Sequence, residues 1–105
     1  MKILFDQGVP VPLRRHLSDH SVDTTYEQGW SDVANGYLLT LAEQNGFELL
    51  ITTDQNLRYQ QNLSNRKLAI LVLMSTSWPR IQSKISVIQQ TVSKMSLGEY
   101  QEITI

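Results

Sequence analysis

The chain has 105 residues, 41% of them hydrophobic and 18% charged, with a formal net charge of −1 and no cysteine. That composition describes a globular chain of single-domain length (residues 1–105), and it excludes a disordered polymer, a disulfide framework, thiolate catalysis and thiolate zinc sites. A balance so near neutral lacks the basic excess that announces a nucleic-acid binder, so the local distribution of charge must decide.

The N-terminus, MKILFDQGVP, opens with a short apolar strand, Lys2 to Phe5, that stops on Asp6. That run is too short for a signal peptide, and no stretch reaches the ~20 apolar residues of a membrane helix. Together with the missing cysteines this suits the cytoplasm. After Gly8, Pro10 and Pro12, a short helix is expected over Pro12 to Ser18, with Leu13 and Leu17 on its buried face. Ser21 to Thr25 (SVDTT) is rich in β-branched residues and predicts a second strand; Tyr26 to Asp32 reads as a loop. Asn35 stands where an N-cap belongs, before the apolar face Leu38, Leu39, Leu41 and Ala42, and Asn45-Gly46 stops that helix. Phe47 to Thr52 predicts a third strand, Asn56 to Asn62 a short helix, and Leu68 to Leu73 the clearest central strand. Ser77-Trp78-Pro79 opens a long helix whose stripe is Ile81, Ile85, Ile88, Val92 and Met95; Gly98 ends it, and Tyr100 to Ile105 alternates as a last strand. Strands alternating with helices predict an α/β fold, three layers (α/β/α) around a mostly parallel sheet.

In such sheets ligands bind beyond the carboxyl ends of the strands. Asp6 follows the first strand and Asp54 the third, and Asn35 starts the helix that leads into the third, so all three fall on that edge. Two carboxylates and an amide are hard oxygen ligands suited to Mg²⁺ or Mn²⁺, which accept phosphate oxygens from a substrate. The plainer reading is that each Asp starts a turn or caps a helix. Thr52 and Thr53 are placed to hydrogen-bond Asp54, although both are also ordinary strand residues, and Asn56 suits a helix cap. Arg58 is the best-placed cation for a phosphate. Thr53, Asn56 and Gln61 join it as substrate contacts, with Tyr59, Gln60 and Asn62 as further polar lining. His16 and His20 read as surface residues, and the pairs Arg14-Arg15 and Arg66-Lys67 as solvated charge. Trp30 and Trp78 read as packing residues, with Trp30 a base-stacking surface if its loop is exposed. No GxxxxGK[ST], GxGxxG or GxSxG occurs, so nucleotide-cradling and serine-elbow chemistry lack support.

The segments MKILFDQGVP, GFELLITTDQNLRYQQN and LAILVL together resemble the PIN-like family of small bacterial proteins, relatives of the VapC-type toxin nucleases and of PIN-like C-terminal RNase domains. The resemblance spans nearly the whole chain. It is carried by the Asp that ends strand one, by the T-x-D turn Thr52-Thr53-Asp54, and by the preceding A-E-x-x-G-F, Ala42 to Phe47. It implies a PIN-like α/β/α fold and a Mg²⁺- or Mn²⁺-dependent ribonuclease, with a small antitoxin as partner and homodimers compatible with the family. Asp6 and Asp54 match the metal carboxylates. The Asp that usually starts the intervening helix is replaced here by Asn35; Asp32 is three residues off register, and Glu27 and Glu43 are stand-ins for a further acidic position. A neutral oxygen at position 35 weakens a divalent ion's hold.

Two readings follow: a metal-dependent endoribonuclease toxin, or a non-catalytic PIN-like module that binds protein or RNA around a degraded acidic site. A phosphoacceptor receiver ranks below both, because Gln7 follows Asp6 where a second acid belongs and Met74-Ser75-Thr76 offers no lysine.

Overall fold

A computed structural model describes residues 1–105. Five strands form one sheet, β1 (Lys2–Phe5), β2 (Ser21–Thr24), β3 (Leu49–Thr52), β4 (Ala69–Leu73) and β5 (Tyr100–Ile103). Their order is β2-β1-β3-β4-β5 and every neighbouring pair is parallel. Helices cover both faces, so the architecture is the expected three-layer α/β/α. The register follows from strict alternation. Ile3, Phe5, Leu49, Ile51, Leu71 and Leu73 enter one apolar cluster, under a 3-10 helix (Val11–Leu17) and helices α4 (Trp78–Gln82) and α5 (Ile85–Lys94). Leu4, Leu50, Ile70 and Val72 point the other way, under α2 (Asn35–Gln44) and α3 (Leu57–Gln60). Strands apolar on both faces are what a doubly covered parallel sheet requires.

The β4-to-β5 connection steps across the sheet in the same direction as β3-to-β4, yet its helices lie on the opposite face. It is therefore of the opposite hand, a rare arrangement for parallel crossovers. Its effect is to place α5 against the 3-10 helix, where Gln89 Nε2 donates to the His16 carbonyl at 2.7 Å.

Several sequence expectations are corrected. The loop expected from Tyr26 contains helix α1 (Thr25–Gln28). Thr24 and Glu27 form a capping box and Gly29 closes the helix at φ 78°, so Thr25 leaves the second strand to start it. The third and fourth strands begin at Leu49 and Ala69, later than expected, and the short helix is confined to Leu57–Gln60. The long helix is two, broken at Ser83-Lys84: Ser83 Oγ donates to the Arg80 carbonyl at 2.6 Å and so competes with the helical ladder. The second of these helices ends at Lys94; Gly98, at φ 77°, belongs to the turn into β5, where its amide donates to the Lys67 carbonyl. Trp30 packs edge-on against Phe47, ring centroids 6.0 Å apart, and is half-buried. No helix is long and apolar enough to cross a membrane.

Candidate functional site

The sheet's switch point lies between β1 and β3, since the chain moves outward from β1 to β2 and then resumes on the other side of β1. Asp6 and Asp54 stand there. The Asp6 amide donates to the Ile51 carbonyl at 2.9 Å, which carries the β1–β3 ladder one residue past the strand. Thr52 ends β3 with 0% exposure. Its hydroxyl donates to Asp6 Oδ2 at 2.9 Å and accepts the Asp54 amide at 3.1 Å. A buried hydroxyl thus has both its donor and its acceptor used, and it ties the two acidic turns together. The remaining carboxylate oxygens are also addressed: Asp6 Oδ1 accepts the Gln7 amide, Asp54 Oδ1 the Asn56 amide, and Asp54 Oδ2 the Asn35 side-chain Nδ2 at 3.0 Å.

Asp6, Asn35 and Asp54 are therefore brought together, as expected, but Asn35 is not a cap. Ala34 occupies the cap position and Asn35 is the first helical residue, free to turn its amide to Asp54. Asn56 does stand at the cap of α3, without a capping side-chain bond; its backbone serves Asp54 instead. Thr53 packs on the Gly8 backbone so closely that a Cβ there would overlap its hydroxyl, which locks the loop after Asp6 onto the turn after β3. Gln61 lies over Gly36, beside Asn35, with its Oε1 2.8 Å from where a Cβ would stand. Arg58 has other partners: its Nη2 donates to the Tyr59 hydroxyl at 2.6 Å, its Nε lies 3.6 Å from Glu102, and its guanidinium stands over the Tyr59 ring. The Tyr59 bond leads the effects that raise its pKa, and burial leads those that push Tyr100, beside Glu102, up to about 12.

Of the stand-in acids, Glu43 is at the far end of α2. There it pairs with Arg66 at 2.8 Å and accepts the Lys67 amide; burial pushes its pKa up, but these bonds outweigh it and hold the carboxyl below its ordinary range. Asp32 is exposed. Glu27 does reach the site's neighbourhood, in a part of it that the sequence reading missed. A cleft of about 470 Å³ adjoins Asp6, lined among others by Gln7, Arg14, Thr25, Tyr26 and Glu27. Arg14 makes a two-pronged pair with Glu27, at 3.1 and 2.7 Å, and with the Thr24 amide it holds the Glu27 carboxyl below its usual range. Thr25 Oγ1 and Arg14 Nε are buried there without partners. The sequence signal was the T-x-x-E capping pattern of Thr24 and Glu27, which fixes α1 and hence the cleft wall.

Each carboxylate oxygen of Asp6 and Asp54 accepts one hydrogen bond from the chain and keeps lone-pair capacity. Two carboxylates with an adjacent amide fit Mg²⁺ or Mn²⁺, ions that are held by one or two carboxylates and retain waters. The set is sparse: no group of three His, Cys, Asp or Glu side chains that could hold a metal ion occurs.

The linking role of Thr52 makes a specific expectation. Thr52→Val keeps volume and branching but strands Asp6 Oδ2 and the Asp54 amide, which should cost about 1–3 kcal/mol in thermal or urea unfolding. Thr52→Ser, which keeps the hydroxyl, should cost less. A valine variant as stable as the parent would refute the link.

No family model matches the chain, and no curated protein or solved structure matches it either.

Proposed function

We propose that this protein is a PIN-like, Mg²⁺- or Mn²⁺-dependent endoribonuclease, the toxin half of a toxin–antitoxin pair whose partner is a small antitoxin protein. The observation that carries the reading is the coupling of Asp6 to Asp54 through Thr52 at the β1/β3 switch point. The resemblance of the Asp6 strand and the T-x-D turn to the family supplies the substrate class. Asp6 and Asp54 would hold the ion, and Asn35 would orient a water or complete the shell. When bound, such an ion neutralises phosphodiester charge and lowers the pKa of a water. Thr52 and the Gln7 and Asn56 amides fix the carboxylates, so little rearrangement is needed when RNA arrives.

The test is incubation of a labelled structured RNA with Mn²⁺, with Mg²⁺ and with EDTA, alongside calorimetric titration of each ion. Metal-dependent cleavage supports the proposal. A second reading, a non-catalytic PIN-like binding module, is favoured by one contact, the Asn35 amide donating to Asp54 where a third carboxylate would complete a stronger site. Neither cleavage nor heat of metal binding would decide for the module.

A further inference from the structure

An open sheet has two edge strands, here β2 and β5, and each turns unpaired amides and carbonyls toward any further strand. The two edges are treated differently. The Ser21 amide donates to the Met1 carbonyl, so the alternation of the ladder turns the Val22 and Thr24 amides outward. The Thr24 amide is already taken: it donates to Glu27 Oε1 at 2.9 Å, and α1 starts from Thr24. At the other edge the Ile70 and Met74 amides donate to the Glu99 and Ile103 carbonyls. The backbone groups of Gln101 and Ile103 therefore face β4, and those of Tyr100 and Glu102 face outward. Nothing caps them. The strand, YQEI, has neither the proline nor the lysine that blunts an edge, and Arg58 Nε, 3.6 Å away, offsets its one charge, Glu102.

The surroundings of this open edge have the composition of an interface. Tyr59 is 72% exposed. The Arg58 guanidinium lies 4.8 Å from the centre of its ring and 5.9 Å from that of Tyr100, and the Tyr100 hydroxyl donates to Glu102 Oε2 at 2.7 Å. Tyrosine and arginine are the residues enriched where proteins meet. The patch holds one guanidinium and one carboxylate side by side, so a strand of uniform charge would meet a like charge on it. A second copy of the same patch would not. Turned about a two-fold axis through Gln101, one β5 meets another antiparallel. Tyr100 then lies opposite the partner's Glu102, the two residues exchange both backbone hydrogen bonds, and a phenol faces a carboxylate across the strands. Gln101 lies opposite its own copy in a non-hydrogen-bonded pair, with Cα atoms about 4.5 Å apart.

We propose that two copies of this chain associate through β5, joining their five-stranded sheets edge to edge. The proposal stands apart from the ribonuclease reading, because neither the edge nor its flanking residues include Asp6, Asn35 or Asp54.

The test uses the absence of cysteine from the chain. Under mild oxidation Gln101→Cys should become a disulfide-linked dimer, since the paired Cα atoms fall within disulfide reach. Ser21→Cys, at the matching place on the β2 edge, should stay monomeric. Sedimentation equilibrium should show wild-type mass rising toward twice the monomer value with concentration. Glu102→Pro removes an outward amide that the β4 ladder does not use, and should weaken self-association at least about tenfold while a melting curve shows it folded. Should that variant fail to fold, the cysteine pair decides alone. Wild type that stays monomeric up to about a millimolar, cross-linking through Ser21→Cys as readily as through Gln101→Cys, or a folded Glu102→Pro protein that associates like the parent would each overturn the proposal.

Discussion

Replacing Asp6 by Asn should remove Mn²⁺ binding and RNA cleavage together while leaving the protein folded. The substitution keeps size and shape, and an amide oxygen can still accept from Thr52 or from the Gln7 amide, the two donors that now address the carboxylate. The fold should therefore lose no more than about 1 kcal/mol, the worth of one hydrogen bond. The site loses half of its carboxylates. Charge stabilisation by a bound ion is worth several kcal/mol at the transition state, so cleavage should fall by roughly a hundredfold or more. The measurements are initial cleavage rates at saturating Mn²⁺, calorimetric titration, and a melting curve to show that folding persists. An Asp6→Asn protein that cleaves like wild type would remove the metal nuclease from consideration.

The second large effect is expected at Asn35, and its sign depends on metal. Asn35 Nδ2 donates to Asp54 Oδ2 at 3.0 Å. In Asn35→Asp an oxygen replaces that donor, and a favourable bond becomes a contact between two carboxylates. Like charges so close do not both ionise readily, so one should keep a proton near neutral pH. In EDTA the variant should unfold at lower temperature than wild type, by about 1–3 kcal/mol in stability. In Mn²⁺ the order should invert, because a third anionic ligand strengthens the hold on a divalent ion. Cleavage should rise about tenfold if the weak field of the native site limits it. Melting curves in EDTA and in Mn²⁺, for both proteins, read out the crossing. Equal stabilisation of the two by Mn²⁺ would mean that position 35 does not face the ion.

The layering was legible because the strands are continuous apolar runs. Ile3-Leu4-Phe5 and Leu49-Leu50-Ile51 suit strands buried on both faces, as in a parallel sheet between two helical layers. The meeting of Asp6 with Asp54 followed from the alternation of strands and helices and needed no side-chain detail. The errors arose where distant partners decided. Asn35 has the composition of a cap, yet Asp54, 19 residues away, captures its amide. Arg58 has the sequence position of a phosphate ligand, yet Glu102 and Tyr100 draw it toward β5. Thr52 looked like one more β-branched strand residue. Its role as a bridge depends on which of its neighbours' oxygens lie within reach, and no periodicity encodes that. The break at Ser83 was hidden because Ile81, Ile88 and Val92 stay on one buried stripe across it.

The reversed hand of the last crossover has a consequence for how the chain comes together. Helix α2 and the α3 segment cover one face of β1, β3 and β4 with residues that precede β4. The other face has only the seven-residue 3-10 helix until α4 and α5 arrive. A 3-10 helix has poor hydrogen-bond geometry and little stability of its own. From the time β4 forms, then, Phe5, Ile51, Leu71 and Leu73 belong to an apolar wall that only the loop and 3-10 helix residues Val9, Leu13 and Leu17 cover until α4 and α5 fold over it. That interval is when the protein is most open to self-association or to a chaperone, and the packing of Ile81, Ile88 and Val92 onto the wall ends it.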